Sequence, residues 1–188
     1  MKSQRHTILV IDDDANDRFL IERALHRINP ACTVQMAKSG SEAIAYLRGA
    51  HQYADRRKFQ FPGYIIADLK MPDGDGLEVL SFLKQNPSLS VIPVVVLSSS
   101  NDEDDIRQAY ALGASGYLVK PQATQELVRR LKLLYDFFGE CEVPQVTASG
   151  HEVPTSSEGK IGQRFERTKS DPASQIARTK VGDGTKNP

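Results

Sequence analysis

Cysteine is nearly missing from this 188-residue chain: Cys32 and Cys141 are the only two, far apart, with no Cys-x-x-Cys pair. That excludes a thiolate metal site and points to a reduced, cytoplasmic setting. Net charge is missing too, since 24 lysines and arginines balance 24 aspartates and glutamates. With no basic cluster either, nucleic acid is not an expected partner. Long apolar runs are also absent. Polar residues from Met1 to Thr7 lead into a short apolar stretch, too short for a signal peptide or a membrane span, so no membrane partner is expected. Histidines are few (His6, His26, His51 and His151) and show no metal-ligand spacing; they read as surface residues.

What is present is an alternation of two periods. Thr7–Ile11, Thr33–Ala37, Tyr64–Ala67, Val91–Leu97 and Gly116–Val119 are short runs, mostly apolar and rich in β-branched residues, which predicts strands. After each comes a helical spacing. Ile21, Ala24, Leu25 and Ile28 follow a cap at Asp14 or Asn16. Ala43, Ile44 and Leu47 mark a short helix over 39–47, and Leu77, Leu80 and Leu83 another. The helix over 102–112 opens with four acids, which suits the positive end of its dipole. The last helix, 124–138, carries Leu127, Leu131, Leu134 and Phe138 on one stripe. This β-α repeat predicts an α/β fold, a doubly wound five-stranded parallel sheet with helices on both faces. The connection from Gly49 to Pro62 is long and polar, with Arg56, Arg57 and Lys58, and is a candidate partner surface. Beyond Phe138 the composition turns to Gly, Ser, Thr, Pro, Lys and Glu. The expectation is one domain over 1–139 and a disordered polar tail over 140–188.

In a parallel sheet all C-terminal strand ends share one rim, where such folds bind ligands. Here that rim would collect Asp12, Asp13 and Asp14, then Asp68, then Ser98, Ser99 and Ser100, then Lys120. Each has a plainer reading alone: a turn cap for Asp68, helix caps for the acids and serines, a solvated lysine. Together they are harder to dismiss. Carboxylates crowded on one rim repel, by about 4 kcal/mol for a pair ~4 Å apart at an effective dielectric of about 20, so a cation belongs among them. Carboxylates and a carbonyl around a hard divalent ion make the Mg²⁺ pattern. An open side and a lysine then suit a phosphoryl group.

Four segments in order carry a specific likeness: Ile8–Asp14, Asp68–Gly76, Ile92–Ser98 and Gly113–Pro121. Over residues 5–138 the chain resembles the receiver domain of two-component response regulators. The resemblance implies a flavodoxin-like strand order, 2-1-3-4-5. It implies Asp68 as phosphoacceptor from a histidine kinase or phosphorelay protein. Asp13, Asp68 and the Lys70 backbone carbonyl would hold Mg²⁺, with Asp12 acting through water. Ser98, Lys120 and Tyr117 would bind the phosphoryl group and switch the surface of the fourth helix, fifth strand and fifth helix, while Lys70 and Ser100 would tune hydrolysis, the Lys70 ammonium reaching the phosphoryl group. The long loop before the third strand, and the acids after Ser100, are similar to regulators that partner phytochromes. With no helix-turn-helix following, output by protein contact is expected, and the apolar last helix ending in Phe137 and Phe138 invites a homodimer. A competing reading is a phosphatase of the haloacid-dehalogenase type with Asp12 as nucleophile. It fits less well, because Ala15-Asn16 follows the acids and Asp102–Asp105 precede the lysine.

Overall fold

A computed structural model describes residues 7–142, 145–146 and 152–153, all within one compact unit spanning residues 1–155. Five strands alternate with five helices: β1 (Thr7–Ile11), α1 (Ala15–Ile28), β2 (Thr33–Ala37), α2 (Gly40–Arg48), β3 (Tyr64–Ala67), α3 (Gly76–Gln85), β4 (Val94–Ser98), α4 (Glu103–Ala111), β5 (Gly116–Val119) and α5 (Thr124–Glu140). The strands form one parallel sheet in the order β2-β1-β3-β4-β5, as expected.

The three central strands are buried along their whole length, which is why they read as unbroken apolar runs. Their side chains alternate between two cores. Ile8, Val10, Ile66, Val95 and Leu97 pack with Ile21 and Leu25 of α1 and Leu127 and Leu131 of α5. Leu9, Ile11, Ile65, Val94 and Val96 pack with Leu47 of α2, Leu80 and Leu83 of α3 and Ala109 of α4. Tyr64 stacks on Phe138 with ring centroids 4.4 Å apart, which closes α5 over the sheet.

Some inward positions differ from expectation. On α2 Tyr46 is fully buried beside the expected Ala43 and Leu47 while Ile44 is only partly covered, and on α3 Val79 is buried where Leu77 is only half-covered. The 49–62 connection is not an open loop. Tyr53, in a 3₁₀ turn at His51–Tyr53, packs with Tyr46 and Phe59 at centroid distances of 5.2 and 5.0 Å. Arg56 pins it by donating to the Leu47 carbonyl at 2.7 Å and lying 4.0 Å over Phe61. The aromatics among its charges pull it onto α2 and leave Arg57 and Lys58 outside.

Within the segment expected as a tail, α5 runs on to Glu140, and β6 (Gln145–Val146) pairs antiparallel with β7 (Glu152–Val153). Val146 packs against the core, the physical reason why chain is placed there. Residues 143–144, 147–151 and 154–188 fall outside the described residues.

Candidate functional site

Register aligns the strand ends. Ile11 pairs with Ala37 and Ala67, and Ala67 with Val96, so the residues that follow emerge side by side. The ladder continues one step past the strands: Asp12 N–H donates to Ala37 O at 3.1 Å, Asp68 N–H to Ile11 O at 2.7 Å, and Lys120 N–H to Ser98 O at 2.7 Å. Asp12 and Asp68 are thereby fixed at 1% and 6% exposure, and Asp13 stays exposed. Ligand oxygens of these three aspartates lie within 4.8 Å of one another.

Lys120 is the cation among them. Its Nζ donates to Asp12 Oδ2 at 2.8 Å, Asp68 Oδ2 at 2.7 Å and Asp17 Oδ2 at 2.7 Å. Burial opposes its charge, but the bonds to the three carboxylates overcome that and hold the ammonium above the usual lysine range. Asp12 goes the other way: burial lifts its carboxyl above the ordinary range, and Lys120 offsets only part of this. The other carboxylate oxygens accept backbone donors, Asp12 Oδ1 from Asp14 N–H at 2.9 Å and Asp68 Oδ1 from Leu69 N–H at 2.6 Å and Lys70 N–H at 3.3 Å. Arg18 Nη1 donates to the Asp12 carbonyl at 2.6 Å and holds the turn from above.

Other expected residues take several positions. Ser98 is fully buried at the end of β4, and its Oγ accepts from Ser100 N–H at 3.5 Å. Tyr117 is half-buried and donates to the Ser100 carbonyl at 3.0 Å. Asp14 and Asp102 are helix caps, accepting from Asn16 and Asp17 N–H and from Asp104 and Asp105 N–H, so for them the plainer reading holds. The Lys70 ammonium has an ionic partner in the structure. Asp105 on α4 takes it at 2.7 Å, because α4 begins with acids beside the β3–α3 loop. Sequence reasoning missed both Asp105 and Asp17. Asp17 lies one helical turn past Asp13, a spacing that points it back to the rim.

The donor set fits a divalent metal. It is all hard oxygen, and the carboxylates of Asp12, Asp13, Asp17 and Asp68 outnumber the single Lys120 ammonium, leaving net negative charge to be neutralised. An acidic cluster, a lysine and a buried hydroxyl at one end of a doubly wound parallel sheet define a class of α/β domain that takes a phosphoryl group beside a divalent ion.

Comparison with known proteins places the chain within that class. Residues 8–132 match the response regulator receiver domain, and the chain belongs to that family of two-component signalling proteins, whose members bind divalent metal. The probable methanogenesis regulatory protein FilR2 of Methanothrix harundinacea is 34% identical over 131 residues, covering 70% of this chain and 82% of that protein. Response regulator Rcp1 of Synechocystis is 33% identical over 133 residues, covering 71% and 88%. Among solved structures, the phosphorylated cyanobacterial phytochrome response regulator RcpA superposes with a TM-score of 0.70 at 35% identity, covering 75% of this chain and 99% of that one. The Mn²⁺-bound form of Rcp1 gives 0.67 at 32% identity, covering 74% and 99%.

Among the described residues, no helix is long and apolar enough to cross a membrane.

Proposed function

We propose that this chain is a response regulator whose receiver domain accepts a phosphoryl group on Asp68 from a histidine kinase and signals by protein contact. One observation carries the reading: Lys120 holds Asp68 and Asp12 together at 2.7 and 2.8 Å, beside the exposed carboxylate of Asp13. A carboxylate oxygen of Asp68 attacks phosphorus, the P–N bond of the kinase phosphohistidine breaks, and its electron pair returns to the imidazole nitrogen. Lys120 exchanges a carboxylate oxygen for a phosphoryl oxygen, and the Ser98 hydroxyl donates to another. Asp13, Asp68 and the Lys70 carbonyl would hold Mg²⁺, with Asp12 acting through water, and the ion would neutralise charge on the transferring group. Tyr117, coupled to Ser98, passes the change to the α4–β5–α5 surface.

The kinase is of the phytochrome type, as the names of RcpA and its relatives suggest for them. The protein works in the cytoplasm and makes no nucleic-acid contact. Phosphorylation favours a homodimer through α4–β5–α5, where Tyr110, Leu133 and Phe137 are 51%, 56% and 61% exposed beside an apolar groove of about 430 Å³.

Acetyl phosphate with Mg²⁺ supplies the test. Wild type and Asp12→Asn take up acid-labile phosphate and Asp68→Asn does not; the reverse pattern would establish the phosphatase reading with Asp12 as nucleophile.

A further inference from the structure

We propose that Asp105, in the first turn of α4, is a positioning residue that keeps the Lys70 ammonium off the phosphoryl group and so shortens the life of the phosphorylated state. This rests on Asp68 being the phosphoacceptor. Lys70 leaves the chain at the acceptor itself, its backbone N–H on Asp68 Oδ1 at 3.3 Å. Its side chain is long, flexible and 57% exposed, so the ammonium has two anionic places to go. Asp105 takes it because Asp105 is prepared for it. One carboxylate oxygen receives Lys70 Nζ at 2.7 Å and the other receives the Ser100 hydroxyl at 2.6 Å, at a side-chain exposure of only 15%.

Neighbouring acids do not substitute. Asp102 caps the helix and Asp104 pairs with Arg107 at 2.7 Å. Lys70 in return holds the Asp105 carboxyl below the usual carboxylate range, with the Ser100 hydroxyl as the second cause.

In hydrolysis, water attacks phosphorus and the bond from phosphorus to the Asp68 oxygen breaks, its electron pair staying on the carboxylate. The water gives up a proton to solvent, and inorganic phosphate leaves. The loose transition state moves charge from the phosphoryl oxygens toward the departing carboxylate. An ammonium resting on those oxygens resists that movement and covers the side from which water arrives. Held on Asp105, Lys70 does neither.

The experiment follows loss of label from the full chain after acetyl phosphate and Mg²⁺ are removed, in wild type, Asp105→Asn, Lys70→Met and the double variant. Asp105→Asn decays about fivefold more slowly than wild type, the scale of one exchanged charged contact. In the Lys70→Met background the same substitution changes nothing, a dependence that a merely structural role for Asp105 would not show. Decay of Asp105→Asn at the wild-type rate or faster overturns the proposal, and so does slowing that persists without Lys70. Absence of label on wild type overturns the phosphoacceptor reading instead, so the two failures are distinct.

Discussion

Lys120 gathers three carboxylates from the end of β1, α1 and the end of β3, and no other cationic side chain bonds the carboxylate oxygens of Asp12 and Asp68 among the described residues. Removing one partner of a buried ionic cluster strands the others. Lys120→Met in metal-free buffer therefore loses about 3 kcal/mol of unfolding free energy, measured by urea titration. Mg²⁺ then restores more stability to the variant than it adds to wild type, because the ion takes over the neutralising charge. An equal Mg²⁺ increment in both would show that the ion does not share carboxylates with the lysine. Asp105 belongs to the same scale: it lies 35 residues from Lys70 in sequence, so only the folded chain shows that they meet.

At the scale of elements, three of the five helices that start at the rim are begun by a short acidic cap, and α2 by Ser39. Asp14, Asp75 and Asp102 accept the free N–H groups that open α1, α3 and α4. The fifth helix has no such side chain at Ala123 and uses a different device. Glu126 in its first turn accepts from Arg129 Nη2 at 2.7 Å and Arg130 Nε at 2.9 Å, while Arg130 also donates to the Val119 carbonyl at 2.6 Å. Those bonds, to Arg129 and then Arg130, hold the Glu126 carboxyl down to about 2 from an ordinary 4.5. Because the folded value is the lower one, the contribution is complete above about pH 4.5 and lost as pH falls through about 2. Urea midpoints of wild type and Glu126→Gln should differ at pH 6 and converge near pH 2. A constant gap would mean that the glutamate charge is not what matters. Since Arg130 reaches from this cluster to β5, the pair also ties α5 to the strand that carries Tyr117.

Across the whole molecule, two helices cover one face of the sheet and three the other, and the rim is left as the place where polar groups meet. The opposite requirement shapes the α4–β5–α5 side, where Leu133 and Phe137 stay uncovered although Phe138 beside them is 5% exposed against Tyr64. Sedimentation of the phosphorylated protein should show a dimer that Phe137→Glu abolishes, with label uptake unchanged. A monomer at every concentration in wild type would end the dimer reading. The strands, the helices and the residues Asp12, Asp13, Asp68, Ser98 and Lys120 were legible along the chain. Periodicity is a local property, and a parallel sheet brings every strand end to one rim whatever the details. The contacts among side chains were not legible in that way. That Asp17 joins Lys120, that Asp105 takes Lys70, that Arg56 folds its loop onto α2 and that Val146 returns to the core all depend on distances across the fold. The sequence alone thus determined which groups reach the rim, through hydrophobic period and turn chemistry. Only the tertiary structure decided which of them pair, because competing carboxylates differ in distance and burial rather than in kind.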